Sequence, residues 1–120
     1  MQPYTYESIR KSIRAWYHHD FLKLASDSAA FEISKDEKEA MIIDMTFEHC
    51  LAQLIVSMPG FAPYQFVSFE AMTYDPRKAS VQGGFERIYD FYDAIGMTVG
   101  EVMDALNLGV KCAMEYQPNG

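Results

Sequence analysis

The sequence predicts a single α+β domain over residues 1–120, mostly helical, in the order helix, helix, antiparallel β-hairpin, helix. Three observations predict it. Two Ser/Thr-x-x-Glu capping boxes, Ser34-Lys35-Asp36-Glu37 and Thr98-Val99-Gly100-Glu101, each stand ahead of an apolar run. Apolar residues recur three or four apart from Tyr6 to Leu24. Apolar and polar residues alternate from Tyr64 to Tyr74 and again from Phe85 to Tyr92, on either side of a turn-rich stretch.

Taken in order, Thr5 is a suitable N-cap for a helix running from Tyr6 to Leu24, with Glu7 in its first turn. Ser26-Asp27-Ser28 marks a loop, and Phe31-Glu32-Ile33 fits either a short third strand or an extended lead-in. The Ser34 box then opens a central helix that is apolar almost all round, from Ala40 to Met58, and Pro59-Gly60 ends it. In the hairpin, Val67, Phe69, Ala71 and Thr73 share one face of the first strand. Phe85, Arg87, Tyr89 and Phe91 share one face of the second. Asp75-Pro76 and Gly83-Gly84 bound the long connection. In the last helix Met97 and Val102 flank the capping box as a hydrophobic staple. Gly100 and Gly109 weaken that helix by about 1 kcal/mol each, and Gly109 also permits a close crossing against the hairpin or the central helix.

Composition limits the function classes. Hydrophobic residues are 49% of the chain, enough for a core of its own. No apolar run approaches the ~18 residues of a membrane helix, and residues 1–14 do not read as a secretory signal. Cys50 and Cys112 fall in amphipathic helical patterns, which predicts two buried, reduced thiols and a cytoplasmic protein. The net charge is −7 and uneven: residues 1–24 carry a net +2 and the remainder −9. An acidic body disfavours nucleic acid and anionic membranes and suits a cationic partner.

No local motif announces catalysis or metal binding. Adjacent helical residues point about 100° apart, so His18-His19-Asp20 does not form a metal site, nor Glu48-His49-Cys50 a nucleophile–base pair. Gly83-Gly84 has no phosphate-loop context. The expectation is no catalytic residue, no metal and no cofactor.

Two acidic patches remain. Asp36, Glu37, Glu39, Asp44 and Glu48 lie on the expected central helix; Glu86, Asp90 and Asp93 lie on the last strand and its exit, beside Tyr92. Carboxylates next to tyrosines suit the capture of Lys or Arg from a partner. With these acids, and without catalytic motifs, the chain resembles the immunity proteins of bacterial toxin systems of the contact-dependent inhibition type. The resemblance implies a cytoplasmic toxin inhibitor, monomer or homodimer, that neutralises a cognate basic toxin domain, such as a nuclease, by acidic protein–protein contact. Two alternatives are a small enzyme or ligand-binding domain using Tyr89, Glu70 or His49 in a pocket between hairpin and helices, and a subunit that self-associates through its hairpin edge.

Overall fold

The computed structural model describes residues 4–21, 29–58, 65–74 and 85–117, with backbone alone for Phe21, Tyr74, Phe85 and Glu86. The expected loop at Ser26, the Pro59-Gly60 stop and the Asp75–Gly84 connection lie outside these residues.

The chain is α+β, but it is not mostly helical. Helix α1 (Tyr6–Trp16) runs into a π-helical turn, Tyr17–Phe21. Five strands follow: β1 (Ala29–Glu37), β2 (Ala40–Phe47), β3 (Cys50–Ser57), β4 (Val67–Tyr74) and β5 (Phe85–Tyr92). Helix α2 (Val99–Glu115) closes the described chain. The strands form one antiparallel sheet in the sequential order β1-β2-β3-β4-β5.

The expected central helix is therefore two strands, and the expected hairpin is the second half of a five-stranded meander. The reason is visible in burial. Met41, Ile43, Met45 and Phe47 on β2, and Cys50, Ala52, Leu54 and Val56 on β3, are buried at every second position. The period is two, not 3.6. The intervening Ile42, Thr46 and Ile55 are β-branched, which favours strands. They also made the run look apolar on all sides. The turns at Lys38-Glu39 and Glu48-His49 contain neither Gly nor Pro, so ordinary turn punctuation is missing. Ser34–Glu37, expected as a helix cap, is the end of β1, where the register with β2 shifts between Ile33 and Lys35.

Both helices cover one side of the sheet. Tyr6, Ile9, Ile13 and Trp16 are the buried stripe of α1, and Val102, Leu106, Gly109, Val110 and Ala113 that of α2. They close over Ile43, Leu54, Val56 and Phe69, each with no exposed surface. The Trp16 indole donates to Asn107 Oδ1 at 2.9 Å and joins the two helices. Both expected N-caps are present: Thr5 accepts from the Ser8 N–H, and Thr98 and Glu101 form the reciprocal box. Cys50 is buried as expected, though on a strand, and burial raises its thiol pKa; Cys112 is exposed on α2.

Gly109 has the predicted close crossing. A Cβ built there would lie 2.6 Å from the Phe69 ring and 2.7 Å from the Tyr89 ring. The two rings meet edge-on, with centroids 5.8 Å apart. The Tyr89 hydroxyl donates to the Ala105 carbonyl at 2.8 Å, one turn earlier on α2.

Across the β1–β2 hairpin, Asp36 receives the guanidinium groups of Arg10 at 2.7 Å and Arg14 at 2.5 Å. The hydrogen bond from Arg14 leads the causes that hold its carboxyl below the usual range. Because the folded value lies below the unfolded one, near 3.9, this contribution is present above about pH 4 and is lost as pH falls through the folded value. Asp36→Asn is expected to lower stability at pH 7 by no more than about 1 kcal/mol, the carboxylate itself being exposed to solvent. Near pH 2 variant and parent should coincide. Urea midpoints at the two pH values check this.

Candidate functional site

The second side of the sheet has no helix over it among the described residues. Its outward positions follow from the strand registers. Glu32 lies opposite Asp44, Asp44 opposite Gln53, Gln53 opposite Glu70, and Glu70 opposite Asp90. One residue from each strand thus builds a polar row across the whole sheet, four of its five members acidic. Adjacent strands lie ~4.8 Å apart, so the row is about 19 Å long.

Less polar rows flank it on both sides. On one side Lys35, Ile42, Ile55, Ser68 and Tyr92 are in register, and on the other Ala30, Thr46, Leu51, Met72 and Arg87. Leu51 is 45% exposed, while Ile42, Ile55 and Met72 are half-buried. Asp44, Leu51, Gln53, Ile55, Glu70 and Met72 line a concave groove of about 380 Å³ at the centre of this face.

Like charges directly opposite one another destabilise a sheet. Here Glu32 faces Asp44, and Glu70 faces Asp90. Local groups offset part of that repulsion. Gln53 Nε2 donates to Asp44 Oδ1 at 2.9 Å. Arg87 bridges Glu70 Oε2 and Asp90 Oδ2, each at 3.2 Å. It reaches them because a register shift between Ala71 and Met72 sets Arg87 opposite Met72, on the open side rather than with Tyr89 and Phe91 on the core side. The Tyr92 hydroxyl donates to Glu70 Oε1 at 2.7 Å, and this bond is the main reason its phenol pKa is raised. The row remains net negative.

The expected partner-binding residues separate into five groups. Asp44, Asp90 and Tyr92 come together on the open face. Asp36 lies on the helix-covered side beside Arg10 and Arg14, while Glu37 and Glu39 are exposed at the β1–β2 turn. Glu48 is exposed at the opposite end of the sheet, in the β2–β3 turn. Glu86, on β5, pairs with Thr73 of β4, and its side chain is outside the described set. Asp93 is 1% exposed and unavailable to a partner. Its carboxylate accepts the N–H groups of Gln65, Phe66 and Val67 at 2.8–2.9 Å and the hydroxyl of Tyr4. Burial, with the Asp93 carboxylate second, pushes the Tyr4 phenol far above its ordinary pKa.

Glu32, Gln53 and Glu70 complete the row and were not among the expected partner-binding residues. A signal for them exists. Each row member is a polar residue between two apolar ones: Phe31-Glu32-Ile33, Ile43-Asp44-Met45, Ala52-Gln53-Leu54, Phe69-Glu70-Ala71 and Tyr89-Asp90-Phe91. Only the strand registers reveal that the five triplets align.

His18 and His19 are exposed on the π-helical turn, and His49 lies 3.7 Å from Glu48. No group of three or more His, Cys, Asp or Glu among the described residues is placed to hold a metal ion. Among these residues no helix is long and apolar enough to cross a membrane. The groove lies on the far side of the sheet from the helices, not between hairpin and helices as the ligand-binding alternative required. Fold and face together define a two-layer α+β protein with one sheet side covered and the other presenting an acidic row. Set against known proteins, the chain matches no family model, no curated protein and no solved structure.

Proposed function

We propose that the chain is a binding protein of the inhibitor type, which neutralises a basic protein partner, such as a toxin domain, by taking its cationic surface onto the open face of the sheet. The observation that carries this reading is the in-register row Glu32–Asp44–Gln53–Glu70–Asp90, which runs through a groove flanked by Leu51, Ile55 and Met72. Charge of one sign draws in the opposite charge and sets partner choice. Leu51, Ile55 and Met72 add apolar area, which buries on contact and gives residence time.

Two charge reversals of equal net effect test it. Asp44→Lys changes the row, whereas Glu39→Lys changes an exposed turn on the same molecule. A basic protein that co-purifies with the chain is expected to lose at least tenfold in affinity to Asp44→Lys and less than twofold to Glu39→Lys. Its association rate should fall steeply between low and high salt. Equal losses from the two variants, or an association rate indifferent to salt, would overturn the reading. Unchanged melting temperatures confirm that both variants are folded.

A further inference from the structure

We infer that the element received by this face is an amphipathic α-helix lying across the five strands, with one Lys or Arg per turn directed at the acidic row and apolar residues on both sides of that basic stripe. The inference rests on the binding reading above and specifies its partner. Three geometric arguments select a helix.

The first concerns spacing. The row offers one side chain per strand, every ~4.8 Å. A helix presents one residue to a given line every turn, about 5.4 Å. An extended chain presents one every ~6.8 Å and falls out of step before it has crossed the sheet. The second concerns width. The flanking rows, Ile42 and Ile55 on one side and Leu51 and Met72 on the other, are four residues apart along their strands, or roughly 14 Å between backbones. That span seats a helix of ~10–12 Å diameter. The third concerns backbone. The strands' N–H and C=O groups lie in the plane of the sheet, in the ladders or along its two edges, so this face offers side chains only. An extended peptide laid on it would leave its own backbone unpaired, whereas a helix satisfies its backbone internally.

Charge complementarity fixes the polarity of the helix's inner stripe. Glu32 and Asp44 form its most open acidic end, because Arg87 already bridges Glu70 and Asp90. A helix of about 13 residues covers the row.

The probes are three labelled peptides of identical composition, titrated against the full chain by fluorescence anisotropy. One carries Lys once per turn with Leu on both sides of the stripe. One is scrambled, and one alternates, with its Lys residues placed at every second position. The stripe peptide is expected to bind at least tenfold tighter than either of the others, to gain helical circular dichroism on binding, and to lose at least tenfold in affinity to Asp44→Lys and again to Leu51→Lys. If the scrambled or alternating peptide binds as well, and Asp44→Lys still abolishes binding, the helix inference is overturned while the acidic docking face stands. If Asp44→Lys affects no peptide, both are overturned. Sedimentation of the chain alone gives a further arm. A dimer dissolved by the stripe peptide would assign the face to a second copy and would also overturn the inference.

Discussion

Asp93→Ala is expected to lower stability by about 3–4 kcal/mol, a large share of the ~5–15 kcal/mol that holds a domain folded. The carboxylate is 1% exposed and holds three successive backbone N–H groups, those of Gln65, Phe66 and Val67, at the entrance to β4. Gln65 and Asp93 are joined again through backbone, as are Asp93 and Val67. Alanine keeps those backbone bonds, so the Gln65 N–H retains the Asp93 carbonyl, and it orphans the Phe66 and Val67 N–H groups. Each buried donor without a partner costs about 1–3 kcal/mol, less whatever water entering the space left behind can recover. The same substitution frees the Tyr4 hydroxyl and with it the lead-in to α1. A fall in melting temperature of roughly 10–15 °C is the readout. Tyr4→Phe, which removes one donor and leaves the three backbone contacts, should cost about 1 kcal/mol. In the double variant the two losses should fall short of additive, because the residues share one contact.

The second large effect is expected at Gly109. Its position in α2 puts the helix backbone against the rings of Phe69 and Tyr89, and a Cβ would approach them to 2.6 and 2.7 Å. The Phe69 ring is fully buried, and Tyr89 is anchored to the Ala105 carbonyl, so neither ring can swing aside without opening the core. Overpacking of this kind costs about 1–3 kcal/mol for small additions. Gly109→Ala recovers about 1 kcal/mol of helix propensity and should be destabilised by about 1–2 kcal/mol. Gly109→Val adds two more methyl groups to the same contact and a stiffer side chain, and should lose 3 kcal/mol or more. Gly100 in the first turn of the same helix is the control. A Cβ there meets nothing closer than 3.9 Å, so Gly100→Ala should stabilise by up to about 1 kcal/mol. Urea unfolding of the three variants checks the order. A Gly109→Ala protein as stable as Gly100→Ala would remove the close crossing as an explanation.

The ends of the molecule were legible in its sequence, and the middle was not. Thr5 and Thr98 announced the two helix starts, and the close approach at Gly109 was anticipated from a glycine inside an amphipathic run. The pairing of β4 with β5 and the buried face of β4 were also legible, because Val67, Phe69, Ala71 and Thr73 alternate cleanly. The segment from Ser34 to Met58 was misread for a physical reason. β2 and β3 have neighbours on both edges, and their open face carries Ile42, Ile55 and Leu51, so apolar residues occur without an obvious period. The turns at Lys38 and Glu48 have no residue that forces a bend, and the end of β1 spells a helix cap. That misreading scattered the site. Asp44 and Asp90 were assigned to separate surfaces, and only the shared sheet brings them into line through Gln53 and Glu70. Likewise, no periodicity distinguishes a buried Asp93 from an exposed one. Its burial follows from the backbone N–H groups that converge on it.

The alignment of one hydrophilic side chain in each of five strands has a consequence for folding. Antiparallel neighbours that slide by one position exchange their two faces. In this meander any such slip would thrust Glu32, Asp44, Gln53, Glu70 or Asp90 into the oily interior, at a cost of several kcal/mol for each charge left unsolvated. The mid-strand charges therefore mark the correct pairing at every seam, and they penalise mispaired intermediates while the ladder is still assembling.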